Sequence, residues 1–311
     1  MMNTPVLALA GGVGGAKLAL GLSRVLSPDE LTVVVNTGDD EEFYGLHVSP
    51  DLDTVMYTLA GVSNTETGWG MSDETFQGLE GLKMYGADAW FGLGDKDLAT
   101  HIRRTDMLRG GLTLSEVTRS LSSALGIRHP IVPMTDDKVR TRVTTDLGEL
   151  AFQEYFVKLR CEPIVKSLRF EGADAARPAP AFSLALQRSG MIVFCPSNPF
   201  VSVAPILAVP GVSKGVEEFG GLRVAVSPII GGKALKGPAA KMLEELGHDV
   251  SCVGVAGRYV GLCDIFIIDE EDRAAAARIE ELGMRVEVTD TIMNTEEDKV
   301  RLAKFICELK S

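Results

Sequence analysis

Cysteine is scarce: Cys161, Cys195, Cys252, Cys263 and Cys307 are odd in number, widely spaced and mostly set in apolar runs. This excludes a disulfide framework and a zinc spacing, and suits core thiols in a reducing cytoplasm. Positive charge is also short. The 31 lysines and arginines face 43 aspartates and glutamates, a net charge of -12, so no global basic field draws nucleic acid or an anionic membrane. A bound anion needs a local site. No apolar run approaches the roughly 18 residues of a membrane span, and no basic n-region with a cleavage site is present, so neither anchoring nor export is expected. Fixed-period repeats and low-complexity tracts are absent. What remains is a chain of 311 residues, 45% hydrophobic, that can bury a full core.

The most informative stretch is the apolar run Val6 to Ala10 leading directly into Gly11-Gly12-Val13-Gly14-Gly15-Ala16-Lys17. A strand, a turn lacking side chains and a helix start are the arrangement in which backbone N–H groups face a phosphate, although a merely tight turn has the same composition. It is not a Walker A, because Leu18 follows Lys17, and it does not complete G-x-G-x-x-G, because position 17 is lysine. A helix over about 16–26 and a second apolar strand over 31–36 complete a βαβ unit.

The spacing predicts another helix from Ser49-Pro50-Asp51-Leu52-Asp53-Thr54, with proline and carboxylates as start signals. Between about 61 and 188 the alternation weakens, with helices at 97–108 and 114–125 and alternating stretches at 139–157. Strands at 191–195, 222–226, 264–268 and 284–288 then alternate with helices at 236–246, 270–282 and from about Thr295. The expected architecture is α/β: a Rossmann-like, doubly wound, mainly parallel sheet built from 1–60 and 189–311, with 61–188 as a mixed α/β insertion or cap. In such a sheet, ligands lie beyond the carboxyl ends of the strands.

Four strand endings then share one edge: Gly11 to Gly15, Asn36-Thr37-Gly38-Asp39-Asp40, Pro196-Ser197-Asn198-Pro199 and Ser227 to Lys233. Asp51 and Asp53 either cap a helix or, with phosphate oxygens and water, hold Mg²⁺. Lys96, within Gly94-Asp95-Lys96-Asp97, either balances phosphate charge or is solvated. His101 is a candidate acid or base, a packed residue being the commoner outcome. Asp136-Asp137 reads as a loop acid pair. Trp69, Trp90 and Phe91 offer stacking surfaces, or fill a small core of the cap.

Together, Gly11 to Leu18, Val35-Asn36-Thr37, Ser49 to Tyr57, Leu93 to His101, Pro133 to Asp137, Pro196 to Pro199 and Ala225 to Gly232 resemble, in order and from end to end, the CofD family of 2-phospho-L-lactate transferases of coenzyme F420 biosynthesis. The resemblance implies a donor, lactyl-2-diphospho-5′-guanosine or its enolpyruvyl analogue, and an acceptor, the deazaflavin Fo. A ribityl hydroxyl of Fo attacks the phosphorus bearing the three-carbon acid and GMP leaves, giving F420-0 or its dehydro form. It implies Mg²⁺, with Asp51 and Asp53 as metal ligands or catalytic groups and, with Lys96, at the acceptor. Gly12, Gly14, Gly15, Asn36, Thr37, Ser197, Asn198, Ser227 and Gly231 are expected at the donor. Lys96 stands where relatives are expected to carry arginine, which keeps charge but loses the planar fork. A cytoplasmic homodimer is expected. Two rivals are a non-catalytic regulator binding nucleotide-sugar-like ligands and an NAD(P)-dependent oxidoreductase using Asp39 on a ribose.

Overall fold

Strand β1 (Val6–Ala10) is buried at every position, because the sheet around it is covered by helices on both faces. The computed structural model describes residues 5–234 and 237–310. Its alternating side chains supply two cores: Leu7 and Leu9 join one apolar cluster, Val6, Ala8 and Ala10 the other. β2 (Leu31–Val35) and β5 (Ile131–Pro133) extend the sheet on one side of β1. On the other side come β9 (Met191–Phe194), β10 (Leu222–Val226), β13 (Ile265–Ile268) and β14 (Arg285–Val288). The order is β14-β13-β10-β9-β1-β2-β5, and every pairing is parallel. The chain leaves β1 in one direction and returns beside it as β9, so the two loops that diverge from the switch point are those after β1 and β9. This is the expected doubly wound α/β sheet.

Helices α1 (Gly12–Val25) and α2 (Pro50–Ala60) pack on the face that also carries the C-terminal helix Glu296–Glu308. α1 starts four residues earlier than the glycine run predicts, because the turn itself winds as the first helical turn. After β2, a polar hairpin of β3 (Glu41–Phe43) and β4 (Leu46–Val48) intervenes.

The segment 61–188 contains α3 (Gln77–Met84), α4 (Asp95–Arg109) and α5 (Leu114–Ala124), then β5, and then an antiparallel sheet of β6 (Arg140–Thr145), β7 (Gly148–Ala151) and β8 (Val165–Glu171). It closes with α6 (Pro180–Arg188). Because β5 pairs with β2, the central sheet draws one strand from within 61–188. The alternating pattern predicted through 157 ends earlier, where Glu154–Lys158 winds as a π-helix. The helix expected at 270–282 divides into a 3₁₀ stretch, Glu270–Ala275, and an α-helical turn, Ala276–Glu280. The helix expected at 236–246 is found over Ala239–Glu245, and Lys236 lies outside the described residues. A short hairpin, β11 (Ile229–Ile230) with β12 (Lys233–Ala234), precedes it.

Candidate active site

A cavity of about 490 Å³ opens at the carboxyl ends of the strands, over the β1–β9 switch point. Gly11, Asp39, Ser197 and Ser227 line it, so all four predicted loops meet there. Their residues divide into those facing the cavity and those holding it together.

The glycine turn faces it. Gly12, with φ +62°, enters α1 from a left-handed conformation, and Val13 and Gly14 follow on the cavity wall. In the first turn of a helix the N–H groups have no intrahelical acceptor. The Gly12 N–H is already claimed: it donates to Asp51 Oδ1 at 2.8 Å. Gly15 lies outside the lining, and a Cβ there would stand 2.8 Å from Ser197 Oγ. Gly14 allows the loop after β9 to approach, since a Cβ would fall 2.2 Å from the Pro196 carbonyl. Gly14→Ala is therefore expected to cost about 1–3 kcal/mol through overpacking against backbone, read as a lower melting temperature. A wild-type melting curve would contradict this close approach.

Asn36 and Ser197, both expected at the donor, make hydrogen bonds that hold the loops together, Ser197 from within the lining and Asn36 from outside it. Asn36 is fully buried: Nδ2 donates to Asp51 Oδ2 (3.0 Å) and the Val201 carbonyl (3.1 Å), and Oδ1 accepts from Gly38 N–H. Ser197 Oγ accepts from Gly11 N–H (3.3 Å) and donates to Gly11 O (2.9 Å), clasping the loops after β1 and β9. Asn198 lines the cavity while its Oδ1 accepts from Phe200 N–H at a second π-helix, Pro199–Val203. Ser227 Oγ closes a local turn with Ile229. Thr37 is buried and Gly231 binds Asp272 through its N–H; both lie outside the lining. Lys96 is exposed, donates to the Ser72 carbonyl at 2.7 Å and also lies outside it. Asp136 and Asp137 accept from the N–H groups of Ser115 and Arg177 and lie outside the lining.

Asp51 and Asp53 both line the cavity yet do not form a pair. Two positions along a helix differ by about 200° in direction, so the carboxylates diverge. Asp51 joins Gly12 and Asn36; Asp53 pairs with Arg104 of α4 through both oxygens. Burial pushes the Asp51 carboxyl up to about 6 against the pull of its Asn36 and Gly12 hydrogen bonds, with the nearby Asp40 charge adding to the rise. Burial, and then the charges of Asp51 and Asp40, raise Asp39 well above the usual carboxylate range. Asp39 Oδ1 and Asp40 Oδ1 are buried with no protein partner. Asp40 Oδ2 accepts from Ser49 Oγ at 2.8 Å and lies 3.0 Å from His47 Nε2; of the two acids only Asp39 lines the cavity with Asp51.

His101 is packed rather than exposed, between Asp97 and Arg104. Arg104 was not legible as a site residue, although Asp97, His101 and Arg104 at i, i+4 and i+7 of α4 share one helix face. The aromatics divide. Trp90 packs edge-on to Phe43, which stacks on Phe91, in a small cluster of its own; Trp69 and Phe91 line the cavity with Phe152 and Phe156.

A model of the family described as 2-phospho-L-lactate transferase CofD matches residues 6–306. The chain belongs to the CofD family. It is 43% identical over 312 residues to a phosphoenolpyruvate transferase of Streptomyces griseus, covering 98% of each chain. It is 39% identical to a 2-phospho-L-lactate transferase of Methanocaldococcus jannaschii, covering 97% of each. Among solved structures, a UPF0052 family protein of Bacillus halodurans superposes with a TM-score of 0.65 over 99% of this chain and 100% of that one; at 16% identity the likeness is one of fold. Membership in CofD gives the chain a transferase reading and separates it from the dehydrogenase and regulator alternatives. The glycine fingerprint of the former is incomplete.

Proposed function

We propose that this CofD chain moves a phospho-linked three-carbon acid from a guanosine diphosphate donor, lactyl-2-diphospho-5′-guanosine or its enolpyruvyl analogue, to a ribityl hydroxyl of Fo. The hydroxyl oxygen bonds to the phosphorus bearing the acid, the phosphorus–oxygen bond to GMP breaks, and GMP and the hydroxyl proton depart. The observation that carries the reading is full-length similarity to transferases of both donor types. The cavity supports it: acids and glycines share its lining with Trp69, Phe91 and Phe156, whose rings suit a flat tricyclic ligand.

Electrostatics supports a divalent cation. The cavity is lined by Asp39, Asp51, Asp53 and Asp97 against Lys17, so a diphosphate entering alone would meet net negative charge. Asp39 and Asp51 are an all-oxygen donor set with an unpartnered buried oxygen, as Mg²⁺ requires of a protein that leaves its remaining positions to phosphate and water. Mg²⁺ there would neutralise charge on the diphosphate. The residues do the positioning. The first turn of α1 directs N–H groups at phosphate, Asn36 and Gly12 aim Asp51, and Asp51 or a water it holds receives the hydroxyl proton.

The chain is also proposed to act as a cytoplasmic homodimer without nucleic-acid or membrane partners. Support comes from the acidic charge, the absence among the described residues of a helix long and apolar enough to cross a membrane, and the commonness of C2 pairs. Fo fluorescence tests acceptor binding directly. Saturable quenching by the purified protein, weakened in Trp69→Ala, is expected; fluorescence indifferent to protein would contradict the acceptor assignment.

A further inference from the structure

Asp53, Asp97 and His101, all buried, bring one possible ligand atom each to within 4.8 Å of one another. Two carboxylates and an imidazole are a donor set able to hold a divalent metal ion. A side chain already supplies the positive charge. Arg104, itself 1% exposed, donates from Nη1 to Asp53 Oδ2 at 3.0 Å and from Nη2 to Asp53 Oδ1. The same Nη1 lies 3.2 Å from His101 Nδ1.

Guanidinium nitrogens only donate, so toward Arg104, its nearer neighbour at 3.2 Å against 3.7 Å for Asp53 Oδ2, His101 Nδ1 accepts. With that lone pair facing Arg104, the nitrogen left to carry a ring proton is Nε2, which lies 3.2 Å from Asp97 Oδ1 without being aligned as a hydrogen bond to it. Asp97 Oδ1 also accepts from the Tyr57 hydroxyl at 2.6 Å. A line of close contacts, Tyr57, Asp97, His101, Arg104 and Asp53, thus ties α4 to α2, with all but Arg104 in the cavity wall itself.

We propose that Arg104 is a resident cation in the place of a second metal ion, keeping Asp53 out of the metal site and fixing His101 as a neutral, Nε2-protonated positioning residue. The charged and titratable groups facing the imidazole are Asp53 and Tyr57 from α2 and Asp97 and Arg104 from α4, with Asp40 acting on Arg104 from the loop after β2. A second ring proton would point at Arg104, so His101 orients Asp97 and leaves proton removal to the Asp51 side. The metal-placement clause rests on the proposed function; the tautomer does not.

Two measurements test this on the intact protein. The chain has four histidines, so ¹⁵N-histidine NMR at about pH 8 is assignable by difference from His101→Asn. His101 is expected to show an unprotonated Nδ1 and a protonated Nε2; a proton on Nδ1, with or without one on Nε2, overturns the proposal. Mn²⁺ binding followed by electron paramagnetic resonance is the second. Folded Arg104→Met is expected to take up one more Mn²⁺ per chain than wild type, and Arg104→Met with Asp53→Asn is expected to lose that extra ion. No gain in folded Arg104→Met, or loss of an ion from wild type on Asp53→Asn alone, overturns it. If Arg104→Met does not fold, the wild-type spectrum decides the tautomer and Mn²⁺ binding by Asp53→Asn, expected to match wild type, decides the metal placement. A protein without transferase activity would sink the proposed function and leave both readouts standing.

Discussion

Asp51→Asn is expected to lower turnover by on the order of 10²–10³ while making the protein more stable above neutral pH. The two effects share one cause. Burial, with Asp40 nearby, raises the Asp51 carboxyl to about 6 in the folded protein. A folded value above the unfolded one means that ionisation opposes folding. The cost is fully present above about pH 6, shrinks as pH falls through that value, and is gone below the unfolded value near 4. Its ceiling is about 3 kcal/mol. Asparagine escapes this cost but offers one carbonyl where Asp51 accepts from both Gly12 N–H and Asn36 Nδ2, returning about 1 kcal/mol. Melting curves of Asp51→Asn should therefore lie a few degrees above wild type at about pH 8 and converge with it toward pH 4–5. Unchanged turnover would remove Asp51 from the mechanism. A pH-independent stability difference would remove the electrostatic cause.

The second large effect concerns metal. Chelation of divalent ions is expected to abolish turnover, and Asp39→Asn to raise the Mg²⁺ concentration needed for half-maximal rate by at least about tenfold. Asp39 lines the cavity with Asp51 and supplies a buried oxygen without a protein partner. Asp53→Asn is expected to leave the Mg²⁺ requirement near wild type, because its carboxylate is committed to Arg104. Metal titrations of initial rate separate the three. An Mg²⁺ requirement shifted by Asp53→Asn but not by Asp39→Asn would reverse the assignment.

The sheet was legible because buried parallel strands are written as continuous apolar runs: Val6 to Ala10, Leu31 to Val35 and Ile265 to Ile268 have little alternative in water. The hairpin β3–β4 carries Glu41, Glu42 and His47 and is only partly buried, so no apolar period marks it. Strand β8 alternates with charged residues, and the π-helix after β7 continues an alternating pattern that local propensity cannot tell from strand.

The site was legible as a place. Gly11, Asp39, Ser197 and Ser227 do meet, because parallel strands put their carboxyl ends on one edge. Individual roles were not legible, since nothing local decides whether a polar side chain faces a ligand or its own scaffold. Asn36 turned inward onto Asp51 and Val201, and Ser197 onto Gly11. Asp51 and Asp53 look like a pair in the sequence, yet the partner that separates them, Arg104, lies 51 residues beyond Asp53.

The central claim is the transfer itself. Purified protein incubated with Fo and an equal mixture of lactyl- and enolpyruvyl-diphosphoguanosine, with and without Mg²⁺, and resolved by mass is predicted to yield F420-0 or its dehydro form together with GMP, only when Mg²⁺ is present. The product mass names the three-carbon unit. Intact donors and unmodified Fo, under conditions in which a control transferase turns over, would contradict the account.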